Sequence, residues 1–347
     1  MSPSRVRRPF LSGVRVPDDV TSRARRPCAG ADPSARGAAD ALPYTRFRQG
    51  VPMLSTTAQQ CPYAGDSGGA EAARSAGADS PTLSFERATP YVDYAGIDTL
   101  LSLQKPRTAE PAEPSFIIAT QVMELLFTLV RERWEAARDA LEADDVPGAL
   151  AWLRRARNAQ DVLNDSWALL ADMTPTEFNR FRDSFGEASG FQSYGYRKLE
   201  FLLGNKSAAM IRPHKAMDGV VGDLTSLLER PGLYDAALRL LHRRGLPVPK
   251  DRVERDWTLS YEASPGVEEA WKAVYADDVP GNELFLLAEA LLDVAERVTR
   301  WRQRHLVAVK RTLGGRPGSG GSNGLNWLAR NAEQDVFPEL WSLRSTV

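Results

Sequence analysis

Cysteine and histidine are scarce in this chain of 347 residues: two cysteines, Cys28 and Cys61, and three histidines, His214, His242 and His305. Two thiols build neither a disulfide scaffold nor a four-ligand metal site. Three imidazoles exclude a histidine-rich centre, so any metal held by imidazole rests on one residue. Charge of one sign is also lacking, since 44 Lys+Arg against 45 Asp+Glu leave a net charge of -1. That argues against a general nucleic-acid binder, whose affinity comes from neutralising phosphates. No run approaches the roughly 18–20 apolar residues that span a bilayer. The arginine-bearing N-terminus has no apolar stretch of the secretory kind. The expectation is a soluble, cytoplasmic protein with no nucleic-acid and no membrane partner.

What is present divides near residue 85. Residues 1–85 hold nine Pro, eight Gly and eleven Arg against seven Asp/Glu, with no Lys. Their apolar residues follow no period, and such a segment buries too little to offset its ordering entropy. It reads as a disordered extension, or as translated sequence upstream of an internal start such as Met53. The competing reading is a basic arm for a partner or a targeting peptide. Residues 86–347 form the domain expected to carry the chemistry.

There the texture becomes helical, without a convincing run of alternating β-branched residues. Phe116, Thr120, Met123, Phe127, Val130 and Trp134 recur at spacings of 3 and 4 and predict a helix over 115–142 with one buried seam. A second helix is expected over 147–170. A third opens at Thr174-Pro175-Thr176-Glu177, a capping box with Pro at the first helical position. More are expected near 195–204, 216–229, 233–244 and 264–276. The longest follows Asn282 and stops at Gly314-Gly315, before a Gly/Ser-rich loop over 314–326 and mixed structure from Asn331 to Trp341. The fold class is all-α, one domain.

Three features place polar or flexible residues where a core would not want them. His305 ends the stripe Leu284, Leu287, Leu291, Val294, Val298, Trp301 and so points inward. It is either a satisfied core histidine or a ligand, and a lone imidazole suits an iron porphyrin, which brings four nitrogens of its own. The neighbouring Arg302 and Arg304 would then face propionates or be solvated. Arg182 lies one turn after Phe178 on the face made by Phe178, Phe181 and Phe185. A buried charge is costly unless paired. Arg182 is therefore a salt-bridge partner of an acid such as Glu187 or Glu200, or a fork for a substrate carboxylate. The run Gly318-Ser319-Gly320-Gly321-Ser322-Asn323-Gly324 follows a helix and lacks a lysine, so it is no phosphate-binding fingerprint. It is a flexible connection or a loop that closes over a ligand.

Together these segments resemble the tryptophan 2,3-dioxygenase family. Met173-Thr174-Pro175, Phe181-Arg182, Ser189-Gly190-Phe191-Gln192-Ser193, Tyr196-Arg197, Glu200 and Leu203-Gly204-Asn205-Lys206 match its central signature. Trp301-Arg302-Gln303-Arg304-His305 is similar to its haem-ligand helix, and the Gly-Ser-Gly-Gly-Ser run to its substrate-closing loop. Tyr91, Tyr94 and Leu100-Leu101-Ser102-Leu103-Gln104 match its N-terminal helix, and Phe116-Ile117-Ile118, Gln121 and Glu124-Leu125 its distal-pocket helix. Phe337-Pro338-Glu339-Leu340-Trp341 fits its end. The likeness spans roughly 88–347, in order.

The resemblance implies an all-helical homotetramer that binds haem b. His305 would be the proximal iron ligand and Arg182 would hold the substrate carboxylate. Ser319, at a position where the family usually has Thr, would contact the substrate's charged end. Phe116 and Phe178 would line the indole pocket, with Tyr91 or Tyr94 capping it from the same or a neighbouring subunit. Two departures stand out: the family's distal histidine is Thr120, and a pocket tryptophan is Leu126. A Thr hydroxyl can accept the indole N–H bond, but it is no base near neutral pH, and the smaller side chains leave room for a substituted indole. The implied activity is oxygen insertion into the indole C2–C3 bond of L-tryptophan or a derivative, giving an N-formylkynurenine-type product. The alternatives are a monooxygenase making a hydroxylated or 2-oxindole product, with O2 or peroxide as oxidant, and a haem- or tryptophan-binding protein without turnover.

Overall fold

The computed structural model describes residues 84–277, 279–316 and 324–347, all within one compact unit, Pro62–Val347. The composition break at 85, Met53 and Ser319 with most of its glycine run lie at or beyond the edge of the described residues. Among the described residues there are helices and no strand. In chain order they are α1 Pro90–Ala95, α2 Ile97–Leu101, α3 Glu113–Glu142, α4 Val146–Asp165, α5 Pro175–Phe181, α6 Tyr194–Leu202, α7 Asp218–Glu229, α8 Leu233–Arg243, α9 Lys250–Val253, α10 Pro265–Tyr275, α11 Glu283–Leu313, α12 Gly324–Glu333 and α13 Pro338–Ser342. The fold is a single all-α domain.

The frame is made by α3, α4 and α11. The start of α3 is set by Glu113, whose carboxylate accepts the amides of Arg107 and Thr108, both at 2.8 Å. Its seam Met123, Phe127, Val130, Trp134, Ala137 and Leu141 is buried against α4, α6 and α8. Asp144, at φ 63, turns the chain, and Asp145 caps α4 by accepting Gly148 N–H at 2.9 Å. On α4, Ala149, Leu153, Ala156 and Leu163 face the same core. The small residues among them let the helices pack closely. Two side-chain amides tie α4 to α11: Gln160 donates to Val294 O at 3.3 Å and Asn164 to Arg297 O at 3.2 Å.

By length and apolarity α3 is long enough to cross a bilayer, a property the reading of apolar runs did not register. Its buried seam makes it a core helix, while Ile118, Leu125 and Leu129 stay exposed on another face. The expected single seam is also interrupted: Phe116 is half-buried and Thr120 exposed. At the N-terminal end of α3 the buried positions are instead Glu113 and Ala119.

Local signals place the site-bearing helices. Thr174 and Glu177 form the expected capping box, Thr174 N–H and hydroxyl reaching Glu177 Oε2 at 2.8 and 2.7 Å. Asn282 accepts the amides of Leu284 and Phe285, starting α11, and Gly314, at φ 60 and ψ −141, stops it. Leu287, Leu291, Val294, Val298 and Trp301 bury its inner stripe. The loop expected over 314–326 is shorter, because α12 begins at Gly324. At the far end Glu339, 2% exposed, accepts Tyr234 Oη–H at 3.0 Å, Tyr261 Oη–H at 2.6 Å and Ser264 N–H at 2.8 Å. Trp271 Nε1–H donates to Tyr234 Oη at 2.9 Å, so one carboxylate organises α8, α10 and α13.

Candidate functional site

The inner stripe of α11 ends at His305, whose imidazole lies between two indoles. Trp167 stacks on it at 4.8 Å and 21° between ring planes, and Trp301 leans on it at 5.4 Å and 58°. Neither ring nitrogen has a hydrogen-bond partner among the described residues. Part of the residue's surface remains open, yet desolvation by the surrounding rings holds its pKa down to about 4. The imidazole is therefore uncharged near neutral pH, with lone-pair donor capacity that no group among the described residues uses. The Nε1–H groups of Trp167 and Trp301 are also buried without acceptors among the described residues. Two unanswered donors beside an unanswered histidine leave polar capacity for a bound group.

The arginines flanking His305 are not open cations. Arg304 donates to Asn164 O at 2.6 Å and to Asp165 Oδ1 at 2.8 Å. Arg302, 3% exposed, turns the other way and donates to Tyr196 Oη at 3.2 Å and to the carbonyls of Asn331 and Gln334 at 3.2 and 3.0 Å. Arg302 is thus taken up by protein partners in the interior, whereas Arg304, paired with Asp165, stays exposed to water, one of the two alternatives expected for it.

A second aromatic group gathers around Phe116. Its ring lies 5.8 Å from Phe178, 5.7 Å from Phe181 and 5.4 Å from Phe185, stacked on the last. Met173, Leu170 and Leu313 complete the cluster. Phe116 and Phe178 are thus in contact with each other. Arg182 follows Phe181 at the start of the 3-10 turn Arg182–Phe185 and is half-buried. Glu200, one acid considered as its partner, is bonded to Arg197 instead. Trp167 and Leu170 share the 3-10 turn Ser166–Leu170, the former on His305 and the latter on the phenylalanine cluster. The histidine and phenylalanine groups are therefore neighbours.

Thr120 lies on α3 one turn after Phe116, and its Oγ1–H donates to Phe116 O at 2.9 Å. Its proton is spent on the helix, and only its lone pairs stay available. Tyr91 and Tyr94, 72% and 94% exposed, sit on α1, which buries no residue. This chain alone does not bring them to His305. Ser319 lies outside the described residues. Sequence reasoning gave no role to Trp167, Phe181 or Phe185 as partners of the site; for Trp167 no local signal exists, because its contact with His305 joins distant segments.

Comparison with known proteins agrees with this architecture. The family described as tryptophan 2,3-dioxygenase matches over residues 76–231 and 229–347. Those matches mark the chain as an oxidoreductase with an all-helical fold. Among its relatives, tryptophan 2,3-dioxygenase 1 of Ralstonia nicotianae is 40% identical over 263 residues, 76% of this chain and 90% of that protein. The tryptophan 2,3-dioxygenase of Polaromonas sp. is 41% identical over 263 residues, with the same coverage. That of Burkholderia pseudomallei is 38% identical over 296 residues, 85% of this chain and 96% of the relative. The chain belongs to the tryptophan 2,3-dioxygenase family.

Proposed function

We propose that this enzyme is a haem-dependent dioxygenase that inserts both atoms of O2 across the indole C2–C3 bond of L-tryptophan or a substituted tryptophan, opening the ring to an N-formylkynurenine-type product. Beside family membership, the observation that carries this reading is His305: uncharged, flanked by indoles and with neither ring nitrogen partnered among the described residues. Haem b fits these residues. An iron porphyrin needs one protein nitrogen, which His305 offers, and the orphaned Nε1–H groups of Trp167 and Trp301 are donors for acceptor atoms of a bound group. When bound, the haem supplies the oxygen activation that side chains cannot.

The remaining residues bind and orient. The Arg182 guanidinium grips the substrate carboxylate as a planar fork, and the Ser319 hydroxyl adds a contact at the same charged end. Phe116 and Phe178 present ring faces and edges to the indole, where offset or edge-on pairs are favoured. Thr120 Oγ1, its proton committed to Phe116 O, accepts the indole N–H bond and takes no proton. The proton stays on the indole nitrogen, and rate comes from positioning the ring. The exposure of Tyr91 and Tyr94 supports a homotetramer in which a neighbouring copy places them over the pocket. The protein acts in the cytoplasm on a small molecule, with no nucleic-acid or membrane partner.

The test is mass spectrometry of the product formed by reduced, haem-loaded protein from L-tryptophan under labelled oxygen. Two labelled atoms in a ring-opened product are expected. One labelled atom, or turnover only with peroxide, would replace this reading with monooxygenation, with the missing base at Thr120 as its cause. Haem and tryptophan binding without any product would replace it with a non-catalytic binding protein.

A further inference from the structure

We propose that Arg302 and Glu200 form a buried positioning pair that fixes the turn of α11 carrying His305 against α6 and α12. This inference rests on the haem reading above. Arg197, Glu200 and Arg302 are 4%, 1% and 3% exposed, three buried charges gathered in one place. Burying such groups is expensive unless they are bonded, and replacing them with apolar residues is often neutral or stabilising. Stability alone is therefore a weak account of them.

The bonding converges on the turn before His305. Arg302 precedes it by three residues, about one turn of α11, so the backbone that anchors one side chain carries the other. The guanidinium bonds Tyr196 Oη and the carbonyls of Asn331 and Gln334, while Nη2, 3.9 Å from Glu200 Oε1, is left without a hydrogen bond. Glu200 accepts from Arg197 Nη1, and its Oε1 accepts from Asn205 Nδ2 at 3.1 Å and Asn331 Nδ2 at 3.5 Å. Tyr196, bonded by Arg302, stacks on Trp301 at 4.7 Å and 27°, and Trp301 touches His305. A displacement of Arg302 thus reaches the imidazole by two routes, through one turn of backbone and through the Tyr196–Trp301 stack. Neither Arg302 nor Glu200 touches the pocket, so both act through His305.

Resonance Raman of the ferrous, haem-loaded protein reads this directly, since the iron–histidine stretching band reports how the imidazole is held. Three variants are compared with wild type for haem content, melting temperature and that band: Arg302→Lys, which keeps the charge but not the fork; Glu200→Gln, which keeps the shape and the acceptor for Asn205; and Asp235→Asn, which weakens a buried pair elsewhere, with Arg255. The expected result is a shifted or broadened band in Arg302→Lys and Glu200→Gln at near-stoichiometric haem, and an unmoved band in Asp235→Asn despite its lower melting temperature. An unmoved band in Glu200→Gln overturns the proposal, even if Arg302→Lys fails to fold. A wild type without the band, or with a band that survives in His305→Ala, defeats the haem reading itself and the positioning role with it.

Discussion

Acidifying the haem-free protein from pH 7 to pH 5 should cost the fold up to about 2 kcal/mol through His305 alone. The imidazole titrates at 6.5 in an open chain and is held down to about 4 in the folded one by desolvation between Trp167 and Trp301. Between those values the unfolded chain binds a proton that the folded chain refuses, so stability rises with pH across the interval and is lost as pH falls below 6.5. One unit corresponds to about 1.4 kcal/mol, which makes the whole penalty about 3 kcal/mol, with about 2 of it between pH 7 and 5. The open part of the residue's surface makes these upper limits. The assay is urea denaturation at pH 7, 6 and 5 of wild type and His305→Gln. Carboxylates titrate in both proteins, so the difference between their slopes isolates the imidazole. Converging curves, with wild type losing more of its stability on acidification, are expected. Parallel curves would refute the argument that His305 is buried uncharged, and with it the physical basis for ligation.

Replacing Arg182 with Leu should weaken L-tryptophan binding about 100-fold, near 3 kcal/mol, by removing a charged fork from a carboxylate; spectral titration of the haem protein checks this, and an unchanged affinity would remove Arg182 from the substrate site. Glu339→Leu strands the hydroxyls of Tyr234 and Tyr261 and the amide of Ser264 in the interior, and should destabilise by about 3–5 kcal/mol; a loss below about 1 kcal/mol by chemical denaturation would show that this hub is not what joins α8, α10 and α13. Thr174→Ala breaks the capping box that starts α5 and should cost about 1 kcal/mol. Because α5 carries Phe178, the same variant should raise KM more than it lowers kcat, which steady-state kinetics resolves.

The parts of the fold that were legible in the sequence are those whose cause is local. A Thr-Pro-Thr-Glu start, an Asn before a long apolar stripe and a Gly after it each satisfy orphan helix termini with nearby atoms, and α5 begins, and α11 begins and ends, where those residues stand. The start of α12 was not legible, since it opens at Gly324 inside a glycine-rich stretch; its far end is held by Arg302, a residue more than twenty positions upstream. Periodicity likewise put Thr120 on a buried seam, yet at that end of α3 the buried residues are Glu113 and Ala119, and Thr120 is exposed.

The same distinction governs the site. Arg182 and His305 could be singled out because each puts a polar group on an apolar helical stripe, which is local information, whereas Phe116 and Phe178 gained a site role only from the family resemblance. Their surroundings are not local: Trp167 meets His305 across more than 130 residues, and Arg302 meets Tyr196 and Glu200 across about 100. Charged residues are normally solvated, so an arginine next to a stripe residue reads as surface unless distant partners are known. Arg302 was accordingly grouped with Arg304, although one is buried among carbonyls and the other pairs with Asp165 at the surface. A helical period says which way a side chain points; only the tertiary fold says whether the group it meets is water, a carbonyl or a carboxylate, and that decides whether an inward polar residue is tolerated, structural or functional.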